Sequence, residues 1–191
     1  MDMALATQHL GPQFGLIAAD IDTALAELRL PPGAEVLDVG TGEGKSAITL
    51  ALHGFRVLTG EPATDTTHYA NKDWQSAAAA MGAAPLITFQ PFNAAHMPFA
   101  SGRFAAVVFF GVLHHIAQSE RAAVFAEALR VTAPGGAVVF FEPHAETLAK
   151  IRVTDPTHPE AANPAEYQGS LRVSETRLAG QRMNMFIYRA A

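Results

Sequence analysis

The chain has 191 residues, a formal net charge of −5 and no cysteine. Its hydrophobic fraction of 49% and charged fraction of 16% exclude a disordered chain and fit one domain with a sizeable core. The lack of cysteine excludes disulfides, thiolate metal sites and cysteine nucleophiles. The acidic balance, with no basic stripe, argues against a nucleic-acid partner. No signal peptide and no apolar run of about 20 residues is present, so we expect a cytoplasmic protein without membrane segments.

Hydrophobic patterns predict helices that alternate with strands. The predicted helices are 14–30, 43–53, 71–81 and 120–131, and the predicted strands are 35–39, 55–59, 86–90, 104–110 and 137–141. This alternation predicts an α/β fold with a doubly wound, mostly parallel sheet covered on both faces. Beyond residue 144 we expect a short helix and an irregular segment, and then strands 171–175 and 183–188 that close the sheet as an antiparallel hairpin. The whole chain, 1–191, is therefore predicted to be a single domain of about seven strands.

The stretch VLDVGTGEGKS, residues 36–46, resembles two kinds of ligand-binding turn. A P-loop would need glycine where Val39 stands, inside a buried strand, and the dinucleotide fingerprint would need glycine where Lys45 stands. What remains is a strand followed by Gly-x-Gly-x-Gly and a helix. Its glycines permit a sharp turn and close approach of the backbone to a ligand. Asp38 is an acceptor near the strand tip, which suits a ligand with an amine or hydroxyls better than a pyrophosphate.

Four segments, in order, resemble class I S-adenosylmethionine-dependent methyltransferases of the small-molecule type, and in particular the type 11 family. They are VLDVGTGEGKSAITLA, GFRVLTGEP, FNAAHMPFASGRFAAVVFFGVLHHI and EALRVTAPGGAVVFFEP. The resemblance covers about residues 30–143 and implies a Rossmann-like fold. It also implies that residues 1–30 and 144–170 serve the substrate. The family often has Asp where this chain has Asn93 and Ala105.

The resemblance implies how S-adenosyl-L-methionine binds. The turn containing Gly40, Thr41, Gly42 and Gly44 would hold the methionine portion, and Asp38 would orient its amine directly or through water. Glu61, at the tip of the second strand, would accept hydrogen bonds from the ribose hydroxyls. Asn93 and Ala94 would meet the adenine.

The sequence says less about which residues contact the methyl acceptor. Methyl transfer needs positioning, exclusion of water and, for a protonated nucleophile, a base. His114 and His115 follow the fourth strand, and we expect one of them, His114, to serve the acceptor because neighbours in an extended chain face opposite sides. Glu142, His144 and Trp74 are further candidates for substrate contact. A structural role remains an alternative for each of these residues.

We expect no metal, because the spacing of His144, Asp155, His158 and Glu160 is irregular. The sequence thus predicts methyl transfer to a small-molecule acceptor through O, N, S or C. The alternatives are a regulatory or scaffold protein that binds S-adenosylmethionine without methyl transfer, and a nicotinamide oxidoreductase, which the glycine spacing disfavours.

Overall fold

The computed structural model describes residues 3–191 and contains one seven-stranded sheet of order β3-β2-β1-β4-β5-β7-β6. The first five strands are parallel, and β7 runs antiparallel to both β5 and β6. The strands are β1 Glu35–Val39, β2 Arg56–Gly60, β3 Ile87–Phe89, β4 Phe104–Phe110, β5 Thr132–Pro143, β6 Val173–Ala179 and β7 Met183–Ala190. The helices are α1 Met3–Leu10, α2 Pro12–Leu28, α3 Lys45–Leu52, α4 Gln75–Ala80, α5 Arg121–Val131 and α6 Ala145–Arg152. The predicted doubly wound sheet with a closing antiparallel hairpin is confirmed.

Two hydrophobic clusters cover the two faces of the sheet, and the strands divide their side chains between them. Along β1, Val36 packs into the cluster that includes α2 and α3, whereas Leu37 and Val39 pack into the cluster that includes α5. The same alternation divides β4 and β5, because successive side chains of a strand point to opposite faces. Burial on both faces explains why these strands read as continuous apolar runs.

One helix differs from its prediction and one was missed. We predicted a helix over 71–81, but α4 begins at Gln75. Asn71 adopts a left-handed conformation with φ 56°, and its N–H donates to Glu61 Oε1, so a helix does not begin there. The missed helix is α1, which Gly11, with φ 88°, separates from α2.

A buried carboxylate on α2 joins the N-terminal helices to the closing hairpin. Asp20 is fully buried, and its two oxygens accept hydrogen bonds from the backbone N–H groups of Gln181, Arg182 and Met183. Gln181 and Arg182 lie in the turn between β6 and β7, and Met183 begins β7. Asp20 therefore fixes α2 against the turn of the hairpin.

Within the part of the chain that is described, no helix combines the length and apolar character needed to cross a membrane.

Candidate active site

The order of the strands reverses between β1 and β4, and the cavity lies at the carboxyl ends of these strands. Open α/β sheets bind ligands at such a reversal, because the loops that leave the two strands diverge there. The cavity has a volume of 680 Å³. That is within the usual range for sites that hold small molecules and cofactors.

The glycine turn after β1 lines this cavity. Gly40, Gly42 and Gly44 all have positive φ, at 83°, 47° and 71°. A Cβ added at Gly40 would lie 2.6 Å from Val112 Cγ2, and one at Gly44 would lie 2.6 Å from Trp74 Cβ. These two glycines therefore make room for the protein's own side chains.

Gly42 differs from the other two glycines. Among the described atoms, only the Tyr69 backbone oxygen, at 3.6 Å, lies within 4 Å of a Cβ added there. Gly42 is thus the glycine of the turn beside which space is left for a ligand. Thr41 also borders the cavity, and its hydroxyl bonds to that of Thr59 at 2.9 Å.

Asp38 lies behind this turn and does not line the cavity. Its Oδ2 accepts a 2.7 Å hydrogen bond from the Thr59 hydroxyl, whereas no described residue bonds Oδ1. Burial raises the pKa of Asp38 to about 6, although the hydrogen bond from the Thr59 hydroxyl opposes this shift. The ionised carboxylate of Asp38 therefore lowers the stability of the folded protein, and its Oδ1 can still accept a hydrogen bond.

Glu61 follows β2 and lies in the wall of the cavity beside the glycine turn. Its Oε2 accepts a 3.1 Å hydrogen bond from the Gly42 N–H, and its Oε1 accepts a 2.7 Å bond from the Asn71 N–H. The carboxylate is 8% exposed and joins the turn after β1 to the segment that precedes α4. Each oxygen retains a lone pair for a ligand hydroxyl.

Asn93 and Ala94 line the cavity near the tip of β3, together with Phe92. Asn93 Oδ1 accepts a 2.7 Å bond from the Ala95 N–H, which holds a tight turn. The side-chain amide of Asn93 is exposed.

Two elements cover the cavity. Gln13 and Ile17 of α2 contribute to one wall. The segment 62–74, between β2 and α4, contributes another through residues from Pro62 to Lys72, and Tyr69 anchors it. The Tyr69 hydroxyl donates to Asp155 Oδ2 at 2.6 Å and lies 2.9 Å from His158 Nδ1.

The histidines after β4 do not have the geometry that we expected. Leu113–His115 form a 3₁₀ turn, so the assumption of an extended chain is wrong, and His115 rather than His114 lines the cavity. The side chain of His114 is 2% exposed, and its Nδ1 lies 2.7 Å from Glu142 Oε2. Glu142, a candidate for substrate contact, is buried and also accepts from the Ala162 N–H at 2.8 Å.

Two other candidates for substrate contact lie away from the cavity. His144 is the N-cap of α6, where its Nδ1 accepts from the Thr147 N–H and its Nε2 lies 2.9 Å from the Gln181 oxygen. Trp74 is 7% exposed and packs in the core cluster that contains α3. Trp74 supports the cavity through Gly44 rather than by lining it.

The sequence did not reveal that a third histidine, His158, packs against His114 and His115. His158 is buried, and its ring centroid lies 5.1 Å from that of His114 and 4.9 Å from that of His115. Partial desolvation at the cavity wall lowers the pKa of His115 to about 3, with smaller contributions from His114 and His158, although part of this ring is exposed to solvent. Burial also lowers the pKa of His158. His115 therefore faces the cavity as a neutral ring.

A sequence profile described as a methyltransferase domain matches residues 37–140, more than half of the chain. The fold is similar to that of a proposed S-adenosyl-L-methionine-dependent methyltransferase from Methanococcus maripaludis, at 16% identity and TM-score 0.69 over 94% of this chain and 86% of that one. A protein from Pyrococcus horikoshii is similar at 17% identity and TM-score 0.70, over 92% and 89% of the two chains. Geranyl diphosphate C-methyltransferase from Streptomyces coelicolor, solved with Mg²⁺, geranyl diphosphate and S-adenosyl-L-homocysteine, matches at 13% identity and TM-score 0.66, over 91% and 78%.

The sheet order, the glycine turn and the matched profile together define the class, which is that of the S-adenosylmethionine-dependent methyltransferases of class I. The chain belongs to the methyltransferase domain family whose profile spans β1 to β5. The cavity fits the cofactor in two respects. Space is free beside Gly42, and the Glu61 carboxylate lies in the wall where ribose hydroxyls would need an acceptor.

Proposed function

We propose that this methyltransferase methylates a small-molecule acceptor with an apolar body. The observation that carries the proposal is the order of groups along the sheet edge. Asn93 follows β3, Glu61 follows β2 and the glycine turn follows β1, so adenine, ribose and methionine would occupy three successive strand tips. The tip of β4 then remains for the acceptor.

The walls beyond β4 support this class of acceptor. They include the apolar residues Val112 and Ile116, next to Phe110 at the end of β4, and Ile17 of α2 contributes to the same cavity. A cavity of 680 Å³ closed by α2 and residues 62–74 favours a small acceptor over a polymer. The bound geranyl diphosphate of the Streptomyces relative is likewise a small molecule.

When bound, S-adenosylmethionine supplies an electrophilic methyl group on a sulfonium. The protein itself would bind and orient the two substrates and exclude water from them. The backbone at Gly42 and the carboxylate of Glu61 would fix the donor, with Asp38 as a further acceptor toward its amine. Residues 62–74 and α2 would shield the reacting groups from solvent, which strengthens the electrostatic interactions between them.

His115 and His114 would serve the acceptor rather than the donor. His115 lines the cavity as a neutral ring that can accept a hydrogen bond from the nucleophile. With a pKa of about 3 it would not retain a proton at neutral pH, so any proton that it accepts must move on at once. His114, behind it, is oriented by Glu142. Residues 1–30 and 144–170 would then shape the acceptor side.

Two measurements test this function. Calorimetry with S-adenosylmethionine, S-adenosylhomocysteine and NAD should show binding of the first two only. A screen of small hydroxyl, amine, thiol and activated-carbon compounds with radiolabelled donor should then find an acceptor, and Gly42→Val protein should give no transfer. Binding of NAD in place of S-adenosylmethionine would contradict the assignment, and donor binding without any turnover would favour the regulatory alternative.

A further inference from the structure

Three imidazoles from two distant parts of the chain meet at the wall of the cavity. Each of His114, His115 and His158 offers a ring nitrogen, and the three nitrogens lie within 4.8 Å of one another. His114 and His158 are buried, whereas His115 is exposed and lines the cavity. Residues 114 and 115 follow β4, and residue 158 lies in the irregular segment after α6.

The two buried rings are each fixed by a carboxylate on the far side. His114 Nδ1 lies 2.7 Å from Glu142 Oε2, and His158 Nδ1 lies 3.2 Å from Asp155 Oδ2. A carboxylate accepts, so Nδ1 carries the proton in both rings and Nε2 presents its lone pair. This carboxylate–histidine arrangement is the usual support of histidine ligands in metal sites.

The inner nitrogen of His158 needs a partner. His158 Nε2 is buried, and no residue between 3 and 191 supplies a hydrogen bond to it. A buried acceptor without a donor is costly, and a cation shared with the nearby ring nitrogens of His114 and His115 would satisfy it. The chain thus provides the ligands and their orientation, but not the group that would satisfy them.

We propose that His114, His115 and His158 bind one divalent transition-metal ion, of which Zn²⁺ suits the ligands best. Three neutral imidazoles with one position left open form a known type of catalytic zinc site. Zinc–nitrogen bonds of about 2.0–2.1 Å in a tetrahedral site place nitrogens about 3.4 Å apart. The ring nitrogens therefore need to approach one another by no more than about 1.5 Å, and His115 is the exposed member of the three.

The open position would face the cavity. His115 lines the cavity, and so does Gly111, where an added Cβ would lie 4.0 Å from His114 Cε1. The metal site would therefore lie beside the part of the cavity that we assign to the acceptor. The ligand class for this position is a small molecule with a hydroxyl or another oxygen donor, whose pKa the metal would lower. With the ion bound, the lone pair of His115 is occupied, so the metal would take over the activation of the nucleophile that the proposed function assigns to this ring. This role, unlike the metal site itself, rests on the proposed function.

The site is tested with metal alone, without donor or acceptor. Chelator-treated protein is titrated with Co²⁺, followed by visible absorption, and with Zn²⁺, followed by calorimetry and elemental analysis. We expect one equivalent to bind, with Co²⁺ bands of the intensity typical of four or five ligands. His115→Ala and His158→Ala should each lower affinity at least about 100-fold, and Asp155→Asn about 10-fold, as for supporting carboxylates elsewhere.

His53→Gln is the matched control, because His53 also pairs with an aspartate, Asp22, but lies on the surface away from the cluster. Its affinity should stay within about twofold of wild type. If His158→Ala does not fold by circular dichroism, exposed His115→Ala carries the test. Substoichiometric binding to wild type, or equal binding by wild type and His115→Ala, would overturn the proposal. Neither result decides whether the protein transfers methyl groups, which donor calorimetry and the radiolabel screen test separately.

Discussion

The Tyr69 hydroxyl donates a 2.6 Å hydrogen bond to Asp155 Oδ2, and this bond joins segments that lie 86 residues apart. It holds the covering segment 62–74 against the segment that carries His158. The hydrogen bond from Tyr69 lowers the pKa of Asp155 to about 2, and burial together with this bond raises that of Tyr69 to about 12. The pair therefore stays in one protonation state at every pH near neutrality.

Tyr69→Phe removes this bond and keeps the ring. We expect the covering segment to open more readily by about 1 kcal/mol, the usual net contribution of an intramolecular hydrogen bond. Hydrogen exchange at Asn71, whose N–H bonds to Glu61, should accelerate about fivefold. The control is Tyr167→Phe, which loses a bond to Arg121 outside this segment. Equal exchange rates in both variants would show that Tyr69 does not hold the segment.

Gly42→Val should abolish binding of S-adenosylhomocysteine measured by calorimetry. The branched side chain would fill the space beside the turn. The backbone at position 42 has a φ of 47°, which is strained for any residue with a Cβ. Unfolding should become easier by about 1–2 kcal/mol. Gly33→Val, at φ 70° with no described atom within 4 Å of an added Cβ, reproduces the strain without the obstruction. Wild-type affinity in the Gly42 variant would show that the glycine turn does not bind the cofactor.

Glu61→Ala should weaken cofactor binding by about 1.5–3 kcal/mol, the scale of hydrogen bonds to a charged group. From the sequence alone we expect little effect on folding, but Glu61 also accepts the N–H groups of Gly42 and Asn71, so stability should fall too. A cofactor analogue without the ribose hydroxyls separates the two effects. Wild type should lose affinity for the analogue, whereas Glu61→Ala should bind analogue and cofactor alike. A variant that still distinguishes the two ligands would remove Glu61 from the ribose site.

His115→Ala and His114→Ala should each lower turnover about 100-fold or more. Cofactor affinity should change by less than about threefold, or ~0.7 kcal/mol. The assay uses an acceptor found in the radiolabel screen, and His53→Gln serves again as the surface control. A loss confined to KM would indicate that the ring only positions the acceptor. Unchanged turnover in both variants would leave the histidines without a role in catalysis.

Asp38→Asn should stabilise the cofactor-free protein at neutral pH. A folded-state pKa of about 6 against 3.8 means that the native state binds more protons between these values, so this carboxyl lowers stability as the pH rises from about 4 to 7. The gain from Asn should therefore be near zero at pH 4 and reach up to about 3 kcal/mol at pH 7. Denaturant unfolding at the two pH values measures it. A gain independent of pH would show that ionisation is not its cause.

The sheet could be predicted from the sequence because its signal is local. The bounds Glu35–Val39 and Phe104–Phe110 agree between pattern and structure, since both strands are buried on both faces and end at glycines. The glycine turn and Glu61 follow such strands directly, so their places at the sheet edge are set by the strands themselves.

The acceptor side could not be predicted in the same way. Whether His114 or His115 faces the cavity depends on a 3₁₀ turn of three residues, too short to leave a periodic signal. His158 reaches the same cluster from 44 positions further along the chain, through contacts of Asp155 and Tyr69 that have no sequence pattern. The spacing argument against a metal considered ligands within one segment, whereas the cluster combines two.

The hydrogen bonds between Asp20 of α2 and the closing hairpin affect the order in which the parts of the chain fold. Asp20 finds its partners 161 to 163 residues later in the chain, at Gln181, Arg182 and Met183. Contacts of such long sequence separation form late, because a large loop must close first. During synthesis the parallel strands can assemble while α2, which contributes Gln13 and Ile17 to the cavity, still lacks its anchor. The cavity wall that α2 contributes therefore gains this anchor only after the hairpin has formed, well after the glycine turn itself.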